Sequence, residues 1–452
     1  MDAGRLTKTP RVAVLGGGVS GVVAAAALNK RGILVDLIEK EHSLGGLHRS
    51  VSIDGVAYDI GAFIFGSDHC MFAAFPEVAH LFVPVVSEHT SITPSGTLDG
   101  YPMTFRGYVR DHGVSGFCRG CMDIALAKIR YFRRETMAAY VKYYLGNSIY
   151  VRTGLKNYIE RLYNIPDAEV DLEFAAKRMS YLKDWASLRG TLIRLARSRD
   201  TVFTADTSHA AALVRPPQGF GAVYSAVHRI LQERGVTVLT DCKILAVRCA
   251  VSGFEIDFGG ETRSYDRVVS TIPLEAIART LGIPTIEGPE YMGLFSLFYR
   301  FRGDSGHSAT VLYNFTLEGR WKRVTSFSRF YGLHEGDEYF SVEGTIPQGD
   351  EGDLSLLQTD FEEHIDRLGL YRGKLTLQGA VRTGHAYPVY RKGNTARVIA
   401  LKAVVQRSGI RIVGRQGDLD YISSADAAGN AEEAAAQIAA SLRSGALGRR
   451  SR

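Results

Sequence analysis

Apolar and polar residues fall into blocks over the first forty positions. Val12-Ala-Val-Leu15 is a short apolar run of the kind a buried parallel strand carries, and Gly16-Gly-Gly-Val-Ser-Gly21 interrupts it. An alanine-rich stretch at helical period follows, then a second apolar run, Leu34-Val-Asp-Leu-Ile38, ending on acidic Glu39. Strand, tight turn, helix, strand and terminal acid form the context in which GxGxxG signals a dinucleotide site. Gly16 permits the turn, Gly18 lets the backbone approach a pyrophosphate, and Gly21 lets helix and strand pack closely. The helix N-terminus, with Ser20 in its first turn, turns unpaired N–H groups to the anion. Glu39, eighteen residues after Gly21, is placed to accept from a ribose hydroxyl, and Lys40 beside it is assigned to the same site.

After about residue 100 the pattern changes to a long helical section rich in Tyr, Arg and Leu, which runs to about residue 210. Then the opening pattern resumes. Gly219 to Arg234 has helical periodicity, Val236 to Ile244 and Arg267 to Pro273 read as strands, and Phe254-Glu-Ile-Asp-Phe alternates like a half-exposed strand. Aromatic and β-branched runs at 293–301, 309–315, 322–328 and 339–345, separated by Gly and Asp turns, predict an antiparallel sheet. Gly409-Ile-Arg-Ile-Val-Gly414 and an alanine-rich helix from about Ala425 return to the first unit. The expected class is α/β, with a Rossmann-like dinucleotide-binding domain built from 1–100, 216–285 and 409–452. A helical insertion over 101–215 and an antiparallel-sheet substrate domain over 286–408 complete it. Ile244, Arg415, Ser423 and Ser424, in the returning segments, join the cofactor-binding set.

Composition adds limits. With 452 residues, 45% hydrophobic and 23% charged, the chain has apolar material for two or three packed layers or domains. Met1 to Pro10 is polar, and no run of about 18 apolar residues occurs, so a cytoplasmic protein without a transmembrane segment is expected. Five cysteines fit a reducing compartment, and Cys118-Arg-Gly-Cys121, a lone CxxC, reads as structural thiols near a helix start and not as a metal site. The net charge of +6 owes much to Arg443, Arg449, Arg450 and Arg452, a solvated tail. Arg106, Arg110, Arg119, Lys128, Arg130, Arg133 and Arg134 are interleaved with Tyr131, Phe132, Tyr140, Tyr143 and Tyr144. Without a nucleic-acid motif beside them, they read as a helical face with solvated charges and buried aromatics, and no nucleic-acid partner is expected.

Gly45-Gly46-Leu-His-Arg49-Ser50 and Tyr58-Asp-Ile-Gly-Ala-Phe-Ile-Phe65 resemble the second glycine pair and flavin-facing loop of the large FAD family that includes amine oxidases, protoporphyrinogen oxidases and UDP-galactopyranose mutases. The resemblance implies FAD as cofactor. Within that family the inserted segments are similar to the mutase branch. Asn314 and, nine residues on, Arg323 match a segment whose arginine clamps the substrate diphosphate. Gly414-Arg415, followed six residues after the arginine by Tyr421, resembles the C-terminal mutase motif, and Ala386-Tyr387-Pro388-Val389 its Tyr-Pro segment. Tyr158 and Tyr163, before Arg178, resemble the aromatic pair and arginine that hold the uridine and the diphosphate.

On this resemblance Arg178, Arg323, Tyr387 and Tyr421 stabilise a diphosphate, and Tyr158, Tyr163 and Asn314 bind the rest of a nucleoside-diphosphate sugar. The implied reaction exchanges pyranose and furanose ring forms with no net redox change. Reduced flavin N5 attacks the anomeric carbon, the reductant being NAD(P)H or another donor. Arginine forks suit phosphate oxygens, and tyrosines add neutral donors and stacking faces. No Ser-His or Cys-His nucleophile is required. A homodimer is also within the family's range. The chain departs from the bacterial mutase loop Gly-Pro-His-Ile-Phe-His, reading Gly61-Ala-Phe63-Ile-Phe65-Gly66, so both loop histidines are missing. Two alternatives stand beside the mutase: an oxidoreductase of amine oxidase or protoporphyrinogen oxidase type, and a non-catalytic flavin-binding protein. Against the oxidase, Val413-Gly414-Arg415 occupies the place where amine oxidases usually carry Ala-Gly-Glu.

Overall fold

The computed structural model describes residues 9–179, 182–183, 212–284, 289–350 and 352–447. Arg11–Leu15 forms the centre of a five-stranded sheet, with Leu34–Ile38 and Thr237–Leu239 on one side and Arg267–Ser270 and Arg411–Ile412 on the other. Every junction in it is parallel. A parallel sheet is buried on both faces, which is why its strands are apolar without alternation. Val12 and Val14 pack under the helices Val19–Asn29, Phe220–Glu233 and Ser424–Leu447. Ala13 and Leu15 pack against the antiparallel meander Ala246–Ala250, Gly253–Asp257, Thr262–Tyr265 and the helix Leu274–Thr280. Helix Val19–Asn29 is buried from Ser20 to Leu28, and its alanines meet Ala428, Ala431 and Ala435 of the last helix, small side chains on both sides permitting close approach.

A seven-stranded sheet makes the second body, in the order Arg372–Pro388, Tyr291–Asp304, Glu338–Pro347, Trp321–Ser326, Val311–Asn314, His89–Ile92, Leu98–Gly100. The predicted sheet is therefore larger than expected and not wholly antiparallel. His89–Ile92 and Leu98–Gly100 come from the span read as part of the dinucleotide domain, and His89–Ile92 runs parallel to Val311–Asn314. The 17-residue strand Arg372–Pro388 escaped the pattern because it is a solvent-facing edge strand with mixed polarity.

Phe105–Arg130 and Met137–Arg152, each broken by a non-helical glycine (Gly113 at φ +68° and Gly146 at φ +71°), and the helices Leu155–Tyr163 and Leu172–Arg178 make up most of the described part of the insertion. Thr104, Thr136 and Asp171 cap three of them by accepting from Gly107, Ala139 and Glu173 N–H. Their core continues into the large sheet through Met292, Leu294 and Tyr387 and takes in Tyr390 just beyond it. The basic stretch differs from its sequence reading. Val114, Met122, Leu126 and Ile129 are exposed on Phe105–Arg130 alongside the arginines, and Cys118 and Cys121 are exposed shortly after the break at Gly113, near a helix start as expected. Tyr140 is buried as expected, and Lys128 donates to the Tyr143 carbonyl at 2.9 Å. Among the described residues no helix is long and apolar enough to cross a membrane.

Candidate functional site

The cofactor cradle is built from backbone. Gly16 has φ +99°, and a Cβ there would meet Thr271 Oγ1 at 2.5 Å; a Cβ on Gly21 would lie 1.8 Å from the Gly16 carbonyl oxygen. Gly18 is different, for the nearest atom to its Cβ position is Gly46 Cα at 3.8 Å, so this glycine opens on space. Gly45 N–H donates to Gly17 O (2.9 Å), which sets the two glycine segments side by side. Glu39 is buried and ties the turn together, Oε2 accepting from Gly17 N–H (2.6 Å) and Oε1 from Glu41 N–H (3.0 Å). A carboxylate has further lone pairs for a ribose. Ile244 sits on the loop that Asp241 and Cys242 N–H pin to the carbonyls of Glu41 and Glu39, both at 3.0 Å.

Several assigned cofactor residues have other duties. Ser20 donates its hydroxyl to Ala427 O (3.1 Å), a helix-to-helix clamp. Lys40 is exposed and pairs with Glu41 at 3.4 Å. Ser423 and Asp426 bond reciprocally, each side chain accepting the other's N–H at 3.2 and 3.0 Å, and so cap the last helix.

Beyond the cradle, four distant segments converge. Gly414 follows the edge strand with φ +84° and lies against Ser20, so Arg415 leaves the carboxyl end of the parallel sheet beside the first helix. That edge is where open α/β sheets bind ligands. Arg415 holds the Ile422 carbonyl (Nη2, 2.6 Å), and its guanidinium lies 5.5 Å from the Tyr421 ring centre and 5.9 Å from that of Tyr387. Tyr387 and Tyr421 meet edge to face at 5.0 Å. Lys322, fully buried, donates to the Tyr387 hydroxyl at 2.8 Å. Arg323 pairs through Nε with Glu343, whose other oxygen is 3.7 Å from Lys322 Nζ. Tyr313 lies 5.9 Å from the Arg323 guanidinium, and Tyr158 packs on it at 6.1 Å.

The sequence motifs did not point to Lys322 or Glu343. Neighbours in a strand normally face opposite sides, but a bulge between Trp321 and Arg323 places Lys322 and Arg323 opposite the single residue Glu343. Two cations, Lys322 and Arg323, thus face one carboxylate, and a third, Arg415, lies against the Tyr387 and Tyr421 rings; Asp420, the acid next to Tyr421, is engaged by Lys177 at 2.9 Å. Burial pushes the Glu343 carboxyl up, but Arg323 and Lys322 more than offset this and hold it below the ordinary range. Burial takes the Lys322 ammonium down, and Glu343 recovers only part of the loss against neighbouring Arg323. His89, 3.4 Å from the Tyr313 hydroxyl, falls to about 4 through burial and then the charge of Arg323.

Two predicted residues are elsewhere. Asn314 is a turn-builder and not a ligand. Its Nδ2 donates to the carbonyls of Glu318 and Trp321 (2.9 and 3.1 Å), its Oδ1 accepts from Thr316 N–H and Oγ1 (3.0 and 2.8 Å), and nothing is left for a substrate. Tyr163 is core, edge-on to Phe174 at 5.3 Å. Arg178 ends the helix Leu172–Arg178, and its side chain lies outside the described residues. In the 61–66 loop Phe63 and Phe65 pack edge-on against His48 at 5.0 and 5.3 Å.

A family model for flavin containing amine oxidoreductase matches residues 19–310. The chain belongs to that family, and FAD is its cofactor, consistent with the open space at Gly18 and the paired glycine turns. Among solved structures, a reduced UDP-galactopyranose mutase aligns over 95% of this chain and 94% of its own, with TM-score 0.76 and 17% identity. A protein from Exiguobacterium sp. 255-15, assigned as a protoporphyrinogen oxidase, aligns over 96% and 99% with TM-score 0.71 and 14% identity. Both likenesses concern the fold. In sequence the chain is 34% identical to a hydroxyneurosporene desaturase of Rubrivivax gelatinosus over 91 residues, 20% of this chain and only 17% of the desaturase.

Proposed function

We propose that this FAD-dependent protein is a nucleotide-sugar mutase, interconverting pyranose and furanose forms of a nucleoside-diphosphate sugar without net redox change. The observation that carries the reading is the cation excess at Lys322, Arg323 and Arg415, the first two facing Glu343 and the third lying against the Tyr387 and Tyr421 rings that wall a partly buried cluster. Unbalanced buried charge is costly, and an anion with about two negative charges relieves it. A diphosphate supplies that charge. Arg323 and Arg415 balance the negative charge that grows on the diphosphate as the sugar leaves it. Lys322 donates to the Tyr387 hydroxyl and so holds that side chain beside the cluster. Tyr421 and Tyr158 add ring faces for a sugar or base. Bound FAD, when reduced, supplies the nucleophilic chemistry at the anomeric carbon.

The second reading is an oxidoreductase, favoured by the family itself. The same cation excess disfavours a protonated amine as substrate and leaves an anionic substrate as the compatible kind. Incubating dithionite-reduced holoprotein with a nucleoside-diphosphate hexose distinguishes the two. A ring-size isomer formed under anaerobic conditions supports the mutase; no isomer, with oxygen consumed by the oxidised, dithionite-free holoprotein on a porphyrinogen or an amine, overturns it.

A further inference from the structure

After the break at Gly113 the first helix of the insertion runs on to Arg130, about 24 Å by its rise per residue, and it is apolar on two opposite sides. Phe117, Ile124 and Ala127 face inward, the first two against the core of the insertion and Ala127 fully buried. On the outer side Val114, Cys118, Met122, Leu126 and Ile129 follow one another at intervals of four, four, four and three residues, which lines them up along one face, and Phe132 continues past the helix end. All six are exposed, Val114, Met122, Ile129 and Phe132 by 68, 63, 79 and 71%. Side chains standing so far out form a ridge and not a groove.

The charges beside the ridge are of one sign. Arg119 and Arg130, eleven residues or about three turns apart, run along one flank of it, and Arg133 follows Phe132; all three are exposed. Lys128 and Arg134 are turned onto Tyr143 and Tyr144. Of the nearby acids, Asp111 pairs with Arg110 at 2.8 Å and Asp123 accepts the Ser148 N–H at 2.6 Å, which leaves Glu135 as the single exposed acid from Arg119 to Met137. A second copy packed here across a two-fold axis would bring the same arginines together with too few carboxylates to pair them. An apolar ridge with cations on its flank matches instead a surface that is apolar within, negative at its rim, and fluid enough to close around a protrusion.

We propose that this face of residues 114–132 attaches the protein to the surface of an anionic lipid bilayer. Met122, Leu126, Ile129 and Phe132 enter the boundary between headgroups and acyl chains, while Arg119, Arg130 and Arg133 stay among the lipid phosphates. The attachment is peripheral, since among the described residues no helix is long and apolar enough to cross a membrane. Cys118 and Cys121, exposed on the same side, are covered when it forms. It uses no residue of the anion pocket and is independent of the reaction carried out there.

The test is co-sedimentation of the holoprotein with vesicles of phosphatidylcholine alone and of an equimolar mixture of phosphatidylcholine and phosphatidylserine. Binding is expected to the mixed vesicles only, weakened by salt. Met122→Glu with Ile129→Glu, and separately Arg130→Gln with Arg133→Gln, change exposed side chains, so FAD content is expected to stay as it was. The partition coefficient is expected to fall at least about 30-fold in the first pair and about 30-fold in the second. Maleimide labelling of Cys118 and Cys121 is expected to slow when mixed vesicles are added. Equal binding to neutral vesicles, no binding to either kind, variants that bind like the parent, or labelling that mixed vesicles leave unchanged would each overturn the proposal. So would a dimer formed without vesicles that Met122→Glu with Ile129→Glu dissolves, since the face would then belong to a second copy.

Discussion

The cofactor cradle and the proposed anion pocket lie next to each other and are made of opposite materials. In the cradle the chain itself is the ligand surface: Gly16, Gly18, Gly21, Gly45 and Gly46 contribute the absence of a side chain, and Glu39 grips backbone N–H groups. In the pocket the backbone is a distant support, and Lys322, Arg323, Glu343, Tyr387, Arg415 and Tyr421 reach in from four separated segments. A surface made of backbone fails when anything is added. A surface made of charges fails when the balance among them is changed.

The sharpest way to break the cradle is Gly21→Ala, whose new methyl would lie 1.8 Å from the Gly16 carbonyl oxygen. Overpacking against backbone costs at least about 3 kcal/mol here, and the variant is expected to be purified without yellow colour, if it folds. A variant retaining full FAD by absorbance contradicts the packing account. In the pocket, Arg323→Ala is expected to lower kcat/KM on the nucleotide sugar by about 100- to 1000-fold while FAD content is unchanged. Steady-state kinetics with a flavin assay checks both; loss of the flavin together with the activity would merge the two regions that the comparison separates.

Asn314→Ala tests the boundary between pocket and scaffold. Removing a side chain that makes four hydrogen bonds inside one turn is expected to lower stability by about 3 kcal/mol in a denaturant titration. The KM should move less than about twofold, within an ordinary shift of packing. A large KM effect at normal stability would return Asn314 to the ligands.

A further test concerns pH. His48 and His69 are pushed by burial to about 3 and about 4, below the ordinary 6.5. The unfolded chain therefore binds more protons as pH falls below 6.5, and the stabilisation present above that pH is lost progressively toward the folded values. The expected slope is about 1.4 kcal/mol per pH unit for each histidine between about pH 6 and 4.5. Thermal melts across that window should show the fall, and His48→Gln should make it shallower while His69 keeps its share.

These differences also explain what could be read from the chain before its fold was known. The cradle was legible because its parts are contiguous and each has one residue type that serves: a helix starting on Gly18, strands without alternation, an acid at the end of the second strand. Arg323, Tyr387, Arg415 and Tyr421 were legible only through motif spacing, and the fold brings them together. Lys322 and Glu343 were not, since the bulge at Trp321–Arg323 is a local departure from strand alternation that composition does not announce. Asn314 and Tyr163 misled for the reverse reason, sitting at motif positions while their side chains are used by a turn and a core. The strand Arg372–Pro388 was hidden by its own exposure.

The central claim is that the pocket carries a cation excess meant for a diphosphate. Calorimetric titration of the reduced holoprotein with a panel of nucleoside diphosphates, at low and high salt and again with Arg323→Ala, tests it most directly. The account predicts saturable binding at one site, weakened by salt and lost in the variant. Absence of binding by every diphosphate in the panel, or binding that Arg323→Ala leaves intact, would contradict it.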